Sequence, residues 1–427
     1  MTSIRAAFDG ESEWLRRCRA AAESIPGVRT DGPPEIIVTD SINGEGWHFT
    51  LNGRRLSRDL REFFWHANRG PHPIDLSLNS EEGVEGTLRI GPDPSFYWRE
   101  QHARAMEAAP ALLTVAILRR LGRIARPADP PSKILPPNRK PDAAARNWFR
   151  LKKLIRSLYL CIPGTNPTGR WNIALHPRAA GAIPRSGWKW TSGFPGHQAA
   201  DPFLVSYENR LWLFYEDMLP KTGHGRLAVM PALEQGAEAS VILEKPYHLS
   251  YPCVFEHGGD WWMVPESAGN KTVDLYRARR FPYEWEDAKT LIQGPQLKDT
   301  TPFLHEGRWY FFTTALLPGR ALVSLLFTAE ALDAPWRLHP ASPLTGDASW
   351  ARSAGPISQW KGRLVRPVQD CLVKYGYSIK LREILELSPT DLEERPMEEI
   401  LPSWQPGIRA THTFCPAGGA LALDARR

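Results

Sequence analysis

The chain has 427 residues, 42% hydrophobic and 23% charged, a composition that excludes a disordered or fibrous chain and leaves room for two or three globular domains. Its net charge is +6, and no stretch is long and apolar enough for a membrane-spanning helix. The five cysteines, Cys18, Cys161, Cys253, Cys371 and Cys415, form no C-x-x-C pair, which excludes a zinc ribbon or dithiol motif and predicts reduced thiols in a cytoplasmic protein.

The first residues, MTSIRAAFDGESEW, lack the apolar core of a signal peptide. Glu11 to Ser24 predicts a short surface helix. Pro34 to Arg54 reads as a hairpin, EIIVTD and WHFTLNG around a Gly-containing turn. Ser57 is placed to cap a helix through His66 with Leu60, Phe63 and Phe64 inward. Thr87 to Ile90 predicts a strand, and Phe96 to Ala108 a helix that Pro110 stops. The apolar run from Ala111 fits helix or strand. Residues 1–125 are expected to form a small α/β domain.

Six prolines between Pro127 and Pro141 predict an extended linker. A helix is expected from Asp142, with Trp148, Leu151, Leu154, Ile155 and Leu158 at helical spacing for packing against the next domain. From Arg119 to Arg156 there are twelve Lys or Arg against Asp129 and Asp142, a local surplus of ten that leaves the rest of the chain at −4. The expected partner of this segment, residues 119–156, is an anionic membrane surface at the inner face of the membrane, or an acidic protein. No nucleic-acid-binding motif is present. Residues 126–164 are therefore a basic Pro-rich linker and helix.

From residue 165 to residue 427 one pattern recurs. A small or acidic residue precedes proline, then come a short apolar run, a turn and an aromatic strand. The prolines are Pro202, Pro252, Pro302 and Pro356, separated by 50, 50 and 54 residues. A fixed period of this length signals a repeat architecture. Each turn offers Asn or Gly where hairpins need positive φ: Glu208-Asn209, Gly258-Gly259, Glu306-Gly307 and Lys361-Gly362. About fifty residues hold four short strands, which is one propeller blade. Four repeats leave two strand-like orphans, one from Trp171 and one from Thr411. Pairing them predicts a fifth blade that closes the ring and removes its exposed edges. The fold class expected is mainly β, a five-bladed β-propeller with a small N-terminal α/β domain.

Asp201-Pro202 ahead of its turn and aromatic strand resembles the opening blade of the five-bladed propeller glycosidases of the arabinanase, xylosidase and invertase types. The segments HLSYPCVFEHGGDWWMVPES, KDTTPFLHEGRWYFFTT, WRLHPASPL and GRLVRPVQDCLVKYGYSIKL together resemble the N-terminal propeller domain of plant glucosamine inositolphosphorylceramide transferases and its bacterial relatives. This resemblance covers roughly residues 165–427. It implies a carbohydrate-active protein of surface-polysaccharide or glycolipid metabolism, hydrolysing or transferring a glycosyl unit. The other reading is a glycan-binding propeller that positions a partner glycosyltransferase. The implied ligand is a glycan, a sugar nucleotide or a glycolipid.

Glycosidases need one carboxylate to activate water and one carboxylic acid to protonate the leaving oxygen. The resemblance makes Asp201 the base. At the positions matched by the proline repeat, where the acid is usual, stand Tyr251, Thr301 and Gly355. Glu266 and Asp299 are the alternatives for the acid, and Glu216 and Asp217 are further choices. Arg352, Arg366, Gln369 and Asp370 form a second polar group, in which an arginine pair offers bidentate bonds to an anion. Tyr251, His197 and His412 complete the expected binding set. No H-x-x-x-H or H-E-x-x-H spacing, P-loop, dinucleotide fingerprint or G-x-S-x-G elbow occurs, so neither a metal nor a cofactor is expected. The catalytic candidates Asp201, Glu266 and Asp299 and the binding candidates Arg352, Arg366 and Asp370 are expected to converge at one mouth of the disc.

Overall fold

The computed structural model of the chain describes residues 3–10, 12–40, 45–56, 73–91, 98–123, 169–178 and 181–427, with isolated helical positions between 143 and 155.

Five four-layered antiparallel sheets stand in a ring. The first blade comprises Gln198–Tyr207, Arg210–Met218, Gly225–Pro231 and Ser240–Leu243. The second runs from Ser250–His257 to Glu284–Gln293, and the third from Leu297–His305 to Arg337–Leu338. In the fourth, the innermost strand is broken into Arg352–Ser353 and Ser358–Trp360, both paired with Arg363–Asp370. The fifth joins Phe414–Ala417 and Ala420–Arg426 to Trp171–His176 and Lys189–Thr191, with Leu423 opposite Ala174. The two orphan strands therefore close the ring, and a five-bladed propeller follows.

Each blade is sandwiched between two others, so both of its faces need apolar cover. That is why the second strands read as continuous apolar runs instead of alternating ones. In Leu211 to Tyr215, Leu213 and Tyr215 pack with Ile173, Leu175 and Cys415 of the fifth blade. Trp212 and Phe214, on the other face, pack with Cys253, Val254 and Met263 of the second. Three similar cores fill the remaining gaps, around Phe311, around Phe312 and around Phe414. The hairpins turn as their residues dictate. Both central residues have positive φ at Glu208-Asn209, Gly258-Gly259, Glu306-Gly307 and Lys361-Gly362, and again at Gly418-Gly419 in the fifth blade.

The N-terminal region is α/β. Ile4–Asp9 lies between Val28–Arg29 and Ile36–Thr39 in a parallel sheet, with the helix Glu13–Glu23 covering it through Leu15, Cys18 and Ala22. The expected hairpin over 34–54 does not form. Ile36–Thr39 pairs parallel with the unforeseen strand Ile4–Asp9, while His48–Leu51 joins a second, antiparallel sheet with Ile74–Ser80 and Gly83–Ile90. The helix expected to stop at Pro110 instead runs from Trp98 to Arg120. A proline inside a helix costs about 3 kcal/mol. Leu112, Leu113, Ala116 and Ile117 beyond it are buried in the domain core, and each buried leucine or isoleucine returns roughly 1.5–3 kcal/mol. Burial outweighs the breaker.

This domain docks on the propeller. Arg89 bridges Asp75 and Asp347, both at 2.8 Å, and Arg104 Nε donates to Gly319 O at 3.0 Å. The predicted helix over Ser57–His66 and most of the basic linker lie outside the described residues. Trp148, Leu151 and Ile155 are helical and exposed, and the rest of the helix expected to pack against the propeller lies outside the described residues. At the start of the basic segment, Arg120 pairs with Glu82 and Glu85, and Arg123 donates to Pro26 O, so these two serve the N-terminal fold. Among the described residues no helix is long and apolar enough to cross a membrane.

Candidate functional site

Each of the first three innermost strands carries one extra residue near its start. The register slips between Ala200 and Phe203, between Ser250 and Cys253, and between Lys298 and Thr301. At each slip one residue has left-handed φ: Asp201 at 51°, Tyr251 at 48° and Asp299 at 51°, and Gly355 holds 129° in the fourth blade. Such a bulge re-aims its side chain. The structural counterpart of Asp201 in the third blade is therefore Asp299, two residues ahead of the Thr301 that the proline repeat selects. A bulky tyrosine in this region is a strained residue held by its surroundings.

Those surroundings are at the axis. Tyr251 is fully buried. Its hydroxyl donates to Gly355 O at 2.9 Å, accepts from Gly355 N at 2.9 Å, and meets Thr301 Oγ1 at 2.7 Å. A Cβ at Gly355 would lie 2.1 Å from Phe414 O, so only glycine lets the blades approach this closely. Tyr251 thus ties the second, third and fourth blades together. Expected to bind substrate, it is instead a structural bolt with no exposed surface.

Asp201 is 6% exposed. Its carboxylate accepts from Tyr251 N at 3.2 Å and from Thr413 Oγ1 at 2.9 Å. Burial raises its pKa to about 7; nearby His412 opposes that shift, and the charges of Glu216, Asp299 and Asp424 reinforce it. Asp424, absent from the expected set, is the group around which the ring closes. It accepts from the backbone N–H of Asp201, His412 and Thr413 at 3.1, 2.8 and 2.9 Å, and from His412 Nδ1 at 2.5 Å. Burial pushes the Asp424 pKa up, but His412 and these N–H donors hold it below the usual carboxylate range. Burial likewise pushes His412 down, and Asp424 raises it further than burial lowers it. The pair is a buried ion pair stacked on Trp171, with ring centroids 4.0 Å apart.

Ligand atoms of Asp201, His412 and Asp424 lie within 4.8 Å of one another, a spacing that suits a metal ion. His412 Nδ1 and both oxygens of Asp424 already serve the hydrogen bonds just described, so these residues fit their own network better than a cation.

Asp299 is 1% exposed and held by Arg352 Nε at 2.5 Å and Gln369 Nε2 at 3.3 Å. Tyr375 lies over the Arg352 guanidinium at 4.9 Å and edge-on to His412 at 5.5 Å. It is 46% exposed and within electrostatic reach of Asp201, Asp299 and Glu216, so it roofs the axial cluster. Glu266 flanks this cluster, bound to Ser250 Oγ at 3.1 Å, Ala268 N at 2.9 Å and Lys298 Nζ at 3.2 Å. Glu216 meets His248 Nε2 at 2.9 Å.

Six expected residues thus gather at the axis: Asp201, Tyr251, Asp299, Arg352, Gln369 and His412. Three do not. Arg366 is 1% exposed and makes a bidentate pair with Glu394 at 2.5 and 2.8 Å, beside Phe312. The pair is a strut within the fourth blade and leaves no surface for an anion. Asp370 alternates to the face opposite Gln369, where it accepts from Leu372 N at 2.8 Å and meets Lys380 Nζ at 2.7 Å. His197 bonds Asp217 at 2.8 Å, and Asp217 also holds Arg226, on the face opposite Glu216. In sequence, Asp424 betrayed itself only as an acid inside the apolar strand ALALDAR, and Glu394 had no signal apart from its exposed-looking neighbours.

Comparison with known proteins gives three kinds of match. The family description "Glucosamine inositolphosphorylceramide transferase 1, N-terminal" matches residues 177–410. Glucosamine inositolphosphorylceramide transferase 1 of Oryza sativa subsp. indica is 33% identical over 236 residues, covering 53% of this chain and 31% of that protein. The Arabidopsis thaliana protein of the same name is 32% identical over 212 residues, covering 48% and 28%. This chain therefore spans about a third of the length of the curated relatives it matches. Among solved structures, a family 117 glycoside hydrolase from Zobellia galactanivorans aligns with a TM-score of 0.41 at 10% identity, over 61% of this chain and 91% of that one.

Proposed function

Because this chain belongs to the family of the glucosamine inositolphosphorylceramide transferase 1 N-terminal domain, we propose that it is a carbohydrate-recognition propeller. Its axial mouth, roofed by Tyr375, takes the glycan or the glycolipid head group, and glycosyl transfer is the work of a partner or of a separate domain. The observation that carries this reading is the state of the carboxylates. Asp299 is matched by Arg352, Glu266 by Lys298 and Asp370 by Lys380. A carboxylate tied to a cation inside the fold does not stand free to meet the oxygen of a departing sugar. Asp201 has the proton affinity but no free base opposite it. A ring of fixed, paired polar groups beneath an exposed aromatic ring suits recognition of a hydroxyl-rich ligand.

One observation favours hydrolysis or transfer within the propeller itself. The Asp201 pKa near 7 is the value a general acid or base needs at neutral pH. The experiment that separates the readings probes a glycan array with the full chain, then incubates the bound glycans with wild type and Asp201→Asn. Recognition predicts retention without release of sugar. Release that falls about 100-fold or more in Asp201→Asn would establish catalysis instead.

A further inference from the structure

The seam between the N-terminal domain and the propeller reaches the axial mouth through residues 345–349. On one side this segment joins the third blade, where Ser324 N donates to Thr345 O and Leu344 N to Ser324 O, both at 2.8 Å. On the other it extends the N-terminal sheet at the end of Gly83–Ile90: Arg89 N donates to Gly346 O and Ala348 N to Arg89 O, both at 3.0 Å. Side chains repeat the tie. Asp75 fixes the Arg89 guanidinium through Nε at 2.8 Å and Nη2 at 3.4 Å, which leaves Nη1 to donate to Asp347 Oδ2 at 2.8 Å. Asp347 Oδ1 accepts from Ser349 N at 2.8 Å, so one carboxylate shapes the turn and holds the domain. The approach is close: a Cβ at Gly346 would lie 2.9 Å from Thr87 O, and one at Gly91 would lie 2.5 Å from Cys371 O.

Cys371 begins the loop that carries Tyr375. Its N–H donates to Ala348 O at 2.9 Å, so Ala348 is bonded to the N-terminal domain through its N–H and to the mouth loop through its carbonyl. Asp370 closes the loop into a unit, with its carboxylate taking Leu372 N and its carbonyl taking Tyr377 N. Ala348 at one end and Thr411, whose N–H donates to Gly376 O at 3.0 Å, at the other then aim that unit over the mouth. The same segment runs on from Ser349 to Arg352, which holds Asp299.

We propose that Arg89 and Asp347 are positioning residues of the axial mouth, through which the N-terminal domain holds the Tyr375 loop and the Arg352–Asp299 pair in register for binding. This rests on the reading of the mouth as the carbohydrate site. An exposed loop opens at little cost unless its backbone is anchored, and a site populated only part of the time in its binding form loses affinity by that fraction. The clamp supplies the anchor from a separate domain, so the N-terminal domain belongs to the frame of the site.

The test is alkylation of the folded full chain with N-ethylmaleimide, read at each cysteine by mass spectrometry. Cys371 is buried and reports on the loop, Cys18 on the N-terminal core, and Cys253 and Cys415 on the propeller core. Asp347→Asn keeps an oxygen for Ser349 N and leaves Arg89 bound to Asp75, so both domains fold. It is expected to raise the Cys371 rate about tenfold, the effect of losing one charged hydrogen bond, with the other three rates unchanged. Arg89→Gln is expected to give the same pattern. An unchanged Cys371 rate in Asp347→Asn, or a rise shared equally by Cys253 and Cys415, overturns the proposal. If Cys18 also rises in Arg89→Gln, the N-terminal domain itself has loosened and Asp347→Asn alone decides. On a glycan that the wild type retains, both variants are expected to bind about tenfold more weakly. Full retention beside a raised Cys371 rate overturns the positioning role. A wild type that retains no glycan fails the carbohydrate reading alone, because the Cys371 rate decides the clamp without a ligand.

Discussion

Asp201 gives a stability prediction whose sign follows from its burial. Its pKa in the folded chain is raised from 3.8 to about 7. A raised folded-state pKa means that the folded chain holds a proton the unfolded chain has released. Its relative contribution is fully present below about pH 4, and it is lost as pH rises through about 7. At ~1.4 kcal/mol per pKa unit, the ionised carboxylate costs the fold up to about 4 kcal/mol above that range. Asn keeps the shape and serves both bonds: its amide oxygen accepts from Tyr251 N, and its NH2 donates to Thr413 Oγ1. Asp201→Asn is therefore expected to match wild type near pH 4 and to exceed it by roughly 2–4 kcal/mol near pH 8. Urea unfolding of both proteins across that range measures the difference. A variant less stable than wild type near pH 8, with an unchanged pH slope, would refute the buried, raised carboxyl.

Three other substitutions probe the frame around the axis. Arg352→Gln leaves Asp299 buried with only Gln369, and a loss of about 3–5 kcal/mol is expected in chemical unfolding, with Asp299→Asn in the same chain restoring part of it. Tyr251→Phe removes the bolt between blades and leaves Gly355 N and O without that partner; a loss of roughly 1–3 kcal/mol is expected, and a neutral result would deny it a tying role. Pro110→Ala restores a helix donor and is expected to raise stability by about 1–3 kcal/mol, whereas a fall would show that the ring of Pro110 packs to better effect than the missing bond costs.

The propeller was legible because its signals are local and repeated. Turn pairs such as Gly258-Gly259, apolar runs such as Leu211 to Tyr215, and the fifty-residue period each report on a few neighbouring residues. Closure by Trp171–His176 was legible by counting unpaired strands. The axial site was less so, because the bulge of the third blade falls at Asp299, two residues ahead of the Thr301 that the proline repeat selects, and bulges leave no compositional mark. Arg366 looked like a ligand grip because, with Arg352, it offers bidentate bonds to an anion. Its partner Glu394 lies on another strand, and nothing short of the sheet register joins them. The N-terminal fold was misjudged where tertiary contact overrode local preference, at Pro110 and at the parallel pairing of Ile36–Thr39.

Hydrogen exchange of the full chain with and without a glycan bound on the array tests the central claim most directly. Recognition at the axial mouth predicts slowed exchange in the loop 371–377, in 409–413 and at the bulged strand starts around Asp201 and Asp299. It predicts no change in the outermost strands, such as Glu284–Gln293 and Leu392–Ile400. Protection confined to those outer strands or to the N-terminal domain, with the axial segments unchanged, would contradict it.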